Sequence, residues 1–240
     1  MPERREFLRE RDQCAVEEMD RPGCDAAMLE RTYAQFPLIN AVVSGWRNMY
    51  KERIRPILAA QKASDGPVTL LDIGSGGGDV VRSLARWAAR DGFALLATGL
   101  DPDERAFTFA CAQPSVPGVT YRSAHSNVLV AEGATFDIIV SNHVLHHLSA
   151  PELQGLLVDT GALSPKLALH ADIARHRVGY ALFSASTLPF FPGSFIRRDG
   201  LTSIRRSYTR DELAAAVPPP WRVEEGRPFR LILTMGAGHG

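Results

Sequence analysis

Cysteine is scarce in this chain of 240 residues, neither charge is in excess, and no long uninterrupted apolar run occurs. The three cysteines, Cys14, Cys24 and Cys111, are odd in number and form no C-x-x-C. That speaks against a disulfide framework or a thiolate zinc site and suits free thiols in a reducing compartment. With 27 Lys and Arg against 27 Asp and Glu, there is no global field to gather nucleic acid or anionic lipid by counter-ion release. The opening stretch MPERREFLRERDQCAVEEMD has mixed charge and no apolar h-region, so no secretory signal is read and a cytoplasmic location is expected. The most apolar stretch, VGYALFSASTLPFFPGSFI (178–196), is broken by Ser, Thr, Pro and Gly and falls short of a membrane span. No G-K-[ST] is present, which removes the P-loop reading.

What is present is an alternation. Residues 3–19 and 25–62 read as helices, with Asp25 as N-cap and apolar residues recurring every three or four positions from Leu29 to Leu58. After ASDGP the texture changes to β-rich runs (VTLLDIG, FALLATGLD, GVTYRSA, TFDIIVSN, KLALHADI) separated by helical ones, and WRVEEG and FRLILTM close the chain as a hairpin. Continuous apolar strands between helices predict a doubly wound α/β sheet of seven strands, mostly parallel with a terminal antiparallel hairpin. We expect an N-terminal helical cap over 1–66, a main domain over 67–240, and a helical insert over 174–208 after the fifth strand.

The stretch LLDIGSGGGDVV places Gly74, Gly76, Gly77 and Gly78 at the first strand-to-helix turn, where α/β sheets bind ligands. Glycine there permits positive φ and lets a ligand touch main chain. The dinucleotide fingerprint G-x-G-x-x-G is not completed: its last position is Asp79 in one register and Val81 in the other. Asp72 and Asp79 flank the turn, repelling pyrophosphate but suiting a ligand with an ammonium beside a carboxylate. Asp101, at the end of the second strand, is spaced to accept hydrogen bonds from ribose hydroxyls.

Together DIGSGGG, the second-strand acid in GLDP, and FDIIVSNHVLHHL resemble the class I S-adenosylmethionine-dependent methyltransferases over about residues 68–174. The segment YAQFPLINAVVSGWRNMYK (33–51) resembles the region before that domain in quinone-methylating enzymes of the ubiquinone and menaquinone pathways, and nominates Tyr33, Asn40, Trp46 and Arg47 as a lid. The resemblance implies S-adenosylmethionine as cofactor, with Gly74, Gly76 and Gly78 along its methionyl portion, Asp72 on its ammonium and Asp101 and Pro102 at its ribose. Ala124 would face adenine, although Ser123 stands where the family often has Asp; Asn142 and Arg47 complete the expected cofactor set.

Methyl transfer from a sulfonium aligns a nucleophile in line and, for a phenol or carbon acid, removes a proton. In SNHVLHHL a helix would put His143, His146 and His147 on one face, so His143 and His146 are the candidate bases. The segment lacks the [DNS]-P-P-[aromatic] motif of enzymes that methylate DNA bases or glutamine, so no nucleic-acid partner is expected. Nor does it offer the acids of metal-assisted catechol methylation. The histidine cluster with His170 and Asp172 is a minor alternative as a metal site, without an ordered third and fourth ligand at recognisable spacing, and no metal is assigned. The insert supplies Phe183, Phe190, Phe191 and Phe195 for an aromatic or prenylated acceptor and Arg197, Arg198, Arg205 and Arg206 for an anionic group or a membrane surface. The reading is a small-molecule methyltransferase acting on oxygen or carbon of a phenolic, quinone or polyketide-like acceptor. Its alternatives are a non-catalytic nucleoside-binding module with a protein partner, and an NAD-dependent oxidoreductase.

Overall fold

A computed structural model describes residues 7–61, 66–188 and 193–236, the side chains of 41–43 excepted. Seven strands form one sheet in the order β3-β2-β1-β4-β5-β7-β6, namely β1 (Val68–Ile73), β2 (Leu95–Leu100), β3 (Val119–Arg122), β4 (Ile138–Asn142), β5 (Leu167–Ile173), β6 (Arg222–Gly226) and β7 (Arg230–Gly236). The first five are parallel; β7 runs antiparallel to both β5 and β6, which makes the closing hairpin. This is the doubly wound sheet expected from the alternation.

The helices, in chain order, are α1 (Ala26–Val43), α2 (Trp46–Met49), α3 (Arg55–Ala60), α4 (Asp79–Arg90), α5 (Glu104–Ala112), α6 (Ser126–Ala131), α7 (Ala150–Ala162), α8 (Arg177–Thr187), α9 (Ile196–Arg206) and α10 (Arg210–Ala216). One face of the sheet packs Leu70, Val140 and Leu169 against Trp46, Tyr50, Val81 and Leu84; the other packs Leu71, Ile139 and Ala168 against Leu153, Leu157 and Leu213. Both faces are dry, which is why the strands read as continuous apolar runs and not as alternating ones.

Asp25 caps α1 by accepting from the Met28 N–H at 2.8 Å, as its position in the sequence predicts. Two helix expectations are corrected. Over the described part of 3–19 the chain is turns and irregular backbone that reach only a single 3-10 turn at Glu18–Asp20, because its charged side chains offer no apolar stripe to bury. The helix expected over 25–62 breaks at Ser44–Gly45, where Gly45 takes φ 65°, and then runs through α2, a π-helical turn at Tyr50–Ile54 and α3. Phe190 and Phe191 lie outside the described residues.

Parallel pairing brings the carboxyl ends of β1, β2, β4 and β5 to one edge. Asp72, Asp101, Asn142 and Asp172 stand there together, with Arg230 opposite Ile173 at the start of β7. Fold and cleft are therefore set by the same registers.

Candidate active site

A cavity of about 670 Å³ opens along this edge, between the strand ends below and α1, α8 and α9 above. Its two halves differ in chemistry. One is acidic, lined by Asp72, Asp79, Asp101 and Asp103; the other is apolar, lined by Val144, Ile173, Ala174, Leu182, Phe183 and Phe229.

The glycine turn belongs to the acidic half. Its amides are largely spent within the protein: Gly74 and Ser75 donate to Leu100 O at 2.7 and 3.0 Å, Gly78 to Ser75 O at 2.8 Å, and Gly76 to Asp101 Oδ2 at 2.8 Å. A turn so satisfied is no phosphate nest. The glycines also answer to different neighbours. A Cβ on Gly74 (φ 69°) would sit 2.5 Å from Val144 Cγ2, one on Gly77 3.2 Å from the Phe109 ring, and one on Gly78 (φ 76°) 2.6 Å from Tyr121 Oη. On Gly76 (φ 51°) it would meet nothing within 4 Å and project into open space. Three glycines admit protein side chains; the fourth keeps the cavity open. Gly78 is not on the cavity wall.

Asp72 is 1% exposed, and neither carboxylate oxygen has a partner of good hydrogen-bond geometry. Burial first, then the charges of Asp79 and Asp101, hold its pKa well above the usual carboxylate range. Burial raises Asp79 and Asp101 as well, although the Asn40 amide donates to Asp79 Oδ2 at 2.8 Å and two backbone amides donate to Asp101. This half of the cavity is short of positive charge.

At the end of β4 the expected histidine-bearing helix is absent. His143 takes a left-handed φ of 61°, its N–H donating to Ala171 O at 2.8 Å, and a 3-10 turn follows at Leu145–His147. Such backbone in a non-glycine residue is held only by its surroundings and is concentrated at functional sites. The three imidazoles still line the cavity, but in different states. Desolvation, helped by Arg230 and His146, lowers His143 to a pKa of about 3, against an opposing pull from Asp172. His146 is buried between two carboxylates, its Nδ1 2.7 Å from Asp172 Oδ1 and its Nε2 3.3 Å from Glu17 Oε1. Burial alone would lower it, but Asp172 and Glu17 outweigh that and raise it to about 10. Asp172 takes the Nδ1 side of His146 in a hydrogen bond, whereas Glu17 meets Nε2 at ion-pair distance without hydrogen-bond geometry. This pairing favours the charged ring and disfavours His146 as the base. Glu17, His146 and His147 each bring a ligand-type atom within 4.8 Å of the others; with Asp172 on the far nitrogen, the group closes on itself as an ion-pair chain.

Other expected residues fall elsewhere. Tyr33, Asn40, Pro102 and Asn142 line the cavity, while Arg47 is exposed on α2, Trp46 is in the core beneath it, and Ala124 packs into the second core. Phe183 lines the apolar half, whereas Phe195 is buried with Leu29 and Tyr33. None of Arg197, Arg198, Arg205 and Arg206 faces the cavity; Arg206 instead donates to the carbonyls of His146 and His147. His170 is fully buried between Ser141 and Thr160, and Arg175 binds Ser207 O and Glu212. Sequence reading missed Glu17, Asp103, Phe229 and Arg230, which reach the cavity from the N-terminal segment, the β2–α5 turn and the β6–β7 turn and carry no motif.

Residues 70–162 match the family described as "Methyltransferase domain". Over this stretch the chain is similar to a methyltransferase domain. Within curated proteins, the ubiquinone biosynthesis O-methyltransferase of Caulobacter vibrioides is 36% identical over 96 residues, covering 39% of this chain and 35% of that protein. Its namesake in Methylobacterium sp. is 38% identical over 84 residues, 34% of this chain and 31% of that one. The chain thus spans about a third of the length of the curated relatives it matches. Among solved structures, the plantazolicin methyltransferase BpumL in complex with a pentazolic desmethylPZN analog and SAH superposes with a TM-score of 0.52 at 14% identity, over 87% of this chain and 95% of that one. Human N-acetylserotonin methyltransferase in complex with SAM gives 0.54 at 13% identity, over 86% and 55%. At such identities the likeness establishes the fold alone.

Gly74→Ala is expected to destabilise the fold by about 2–4 kcal/mol, combining left-handed strain with the Val144 clash. Gly76→Ala carries the strain alone, about 1–2 kcal/mol. Denaturant unfolding of the two variants checks the difference.

Proposed function

We propose that the chain transfers a methyl group from S-adenosylmethionine to oxygen or carbon of a small phenolic, quinone or polyketide-like acceptor. The observation that carries this reading is the Asp72 carboxyl, buried near the end of β1 on the cavity wall with no cationic partner and only the Val81 amide to ease it, beside the one glycine of the turn whose Cβ would meet nothing within 4 Å. An ammonium group is the partner it lacks. Asp101 keeps a lone pair on each oxygen for ribose hydroxyls, since each already accepts only one backbone N–H. Gly74 and Gly76 border the methionyl portion, with Pro102 and Asn142 beside it; Ala124 and Arg47, away from the cavity wall, drop out of the cofactor set. When bound there, the cofactor supplies an electrophilic methyl group on a sulfonium.

The apolar half receives the acceptor, walled by Val144, Ile173, Phe183 and Phe229. Apolar walls exclude water and fix the acceptor's orientation for in-line attack. His143 stands at the junction of the halves as a neutral imidazole. A weakly basic nitrogen suffices, because the acidity of a hydroxyl rises steeply as its oxygen acquires the methyl group; His143 takes that proton while Asp172 steadies the imidazolium formed. We read residues 1–66 as a cap over this site and 174–208 as the insert that closes its acceptor side. The relatives named for ubiquinone biosynthesis support a ring-bearing acceptor with a hydroxyl to methylate. Among the described residues no helix is long and apolar enough to cross a membrane.

Asp72→Asn is expected to leave the unliganded protein as stable or more so, because it removes an uncompensated buried acid, yet to weaken S-adenosylhomocysteine binding about tenfold or more. Thermal shift with the ligand in excess checks this, since about 100 Kd of ligand stabilises the native form by about 2.7 kcal/mol. A shift produced by NAD and not by S-adenosylhomocysteine would overturn the reading. With both substrates saturating, His143→Gln is expected to lower kcat about a hundredfold. The wild-type pH profile should show no acid limb near 6.5, because a base with its pKa depressed to about 3 is already deprotonated throughout the range above it. Label transfer to a panel of catechols and hydroquinones measures both.

A further inference from the structure

Residues 7–24 form a strap across the cavity, tied by polar contacts to segments far away in sequence. Arg11 Nε donates to Arg206 O at 2.7 Å, Arg175 to Leu8 O and Arg9 O, and Arg105 to Met19 O; the Glu18 and Met19 amides donate to the two oxygens of Asp199 at 2.8 and 3.0 Å. Within this strap one residue is buried, and it is a carboxylate, Glu17, 3% exposed. A segment kept only for stability would bury an apolar side chain, since taking a carboxylate out of water costs several kcal/mol before pairing. Glu17 enters the cavity wall, where Ser203 Oγ donates to its Oε1 at 2.7 Å, while His146 Nε2 lies at 3.3 Å and His147 Nε2 at 3.9 Å from the same oxygen.

We propose that Glu17 is a positioning residue for methyl transfer: delivered by the strap, it holds His146 against Asp172, so that His146 stays a fixed ring and His143 is left as the imidazole that moves the proton. This rests on the reading of His143 as base. The two rings, with centroids 6.4 Å apart, are thereby held in opposite protonation states, the arrangement by which neighbouring titratable groups divide donor and acceptor roles. The charged and titratable groups around His146 are Asp172 from β5, Arg11, Glu17 and Asp20 from the strap, His147 beside it, His143 before it, Arg230 from β7, and Arg206 and Asp199 from α9. Asp172 and Glu17 are its dominant partners, and pairing carries Glu17 down to about 2 against the cost of its burial.

The first test needs no acceptor. In the wild-type protein, nitrogen-edited NMR of the histidine rings should show His146 protonated on both nitrogens through pH 9, while His143 stays neutral down to pH 5. Glu17→Gln keeps the shape and an acceptor for Ser203 but removes the charge, and should bring the His146 titration down by about one unit or more. Because the raised pKa means the charged form persists until pH passes it, the alkaline limb of kcat should move down by the same amount. We expect kcat to fall about tenfold, S-adenosylhomocysteine affinity to hold within about twofold because Asp72 and Asp101 lie in the other half, and Glu17→Asp to restore part of both effects. A strap that merely latches would lower thermal stability without moving either titration, and that result overturns the proposal. So does a wild-type His146 that titrates near 6.5, or a stoichiometric divalent ion removed by chelator from Glu17, His146 and His147, since a metal would take the place of the ring proton. If the NMR outcome holds while no phenolic acceptor is methylated, the methyl-transfer reading fails and the clamp does not.

Discussion

Asp72 stands next to last in β1 with its carboxyl buried, no cationic partner, and Asp79 and Asp101 close enough to raise its pKa further against the slight easing from the Val81 amide. Nothing in the packing requires an acid there: the strand on either side is apolar, and its neighbours Leu71 and Ile73 belong to the core. An uncompensated buried acid is among the costlier features a fold can carry, and it persists where a ligand completes it. The rest of the cleft conforms to this demand. The glycine turn keeps its amides for internal partners, Asp101 spends one lone pair per oxygen to hold that turn and the next, and Asn40 from α1 leans on Asp79. The result is a rigid acidic pocket that suits a cation better than any phosphate.

The opposite half of the cavity solves the reverse problem. There the buried charges are matched in chains: Asp172 with His146, His146 with Glu17, Arg175 with Glu212 and with the carbonyls of Leu8, Arg9 and Ser207. Breaking one partner of such a chain leaves another charge stranded, so these residues are mutually dependent in a way that apolar contacts are not. They also join three remote parts of the chain, the N-terminal strap, the end of β5 and the α9–α10 junction. The strap is therefore held by polar contacts as well as by the packing of Met19 and Cys24 on the third core cluster and of Phe7 on Tyr180, and its one buried residue, Glu17, meets the histidine turn.

The strands, their order and the closing hairpin were legible because each rests on local apolar periodicity and on turn chemistry that a single sequence displays. Asp72, the glycine turn and Asp101 were legible because they occupy fixed offsets around one strand-to-helix turn. The histidine turn was half legible: SNHVLHHL announces imidazoles at a strand end, but helical spacing misplaces them, since His143 adopts a left-handed φ that only its tertiary contacts enforce. Glu17 and Arg230 were invisible for a different reason. Each is an ordinary charged residue in an unremarkable stretch, brought to the cleft from opposite ends of the chain by contacts with α9 and by the antiparallel register of β7. The arginines of the insert illustrate the converse, a conspicuous cluster that the fold turns away from the cavity and uses on backbone carbonyls and surface partners.

The glycine-rich turn shows how one motif serves two masters. Gly74 is needed because Val144, the residue after the strained His143, presses against it, and Gly78 because Tyr121 from β3 and Arg82 from α4 close beneath it. Those two positions pack the turn against the loop that carries the histidines on one side and against Tyr121 of β3, two strands away, on the other. Gly76 alone faces open space, and its amide is anchored on Asp101, the same acid that offers its remaining lone pairs to the cavity. The turn and the acid thus hold each other in the geometry a ligand would need before any ligand arrives. Asp79, which denies the turn its place in the dinucleotide pattern, adds a further carboxylate to that wall. A pyrophosphate set against four acids would be repelled, whereas a methionyl ammonium lying over Gly76 would find Asp72 waiting, and this difference in charge, more than any count of glycines, distinguishes the site.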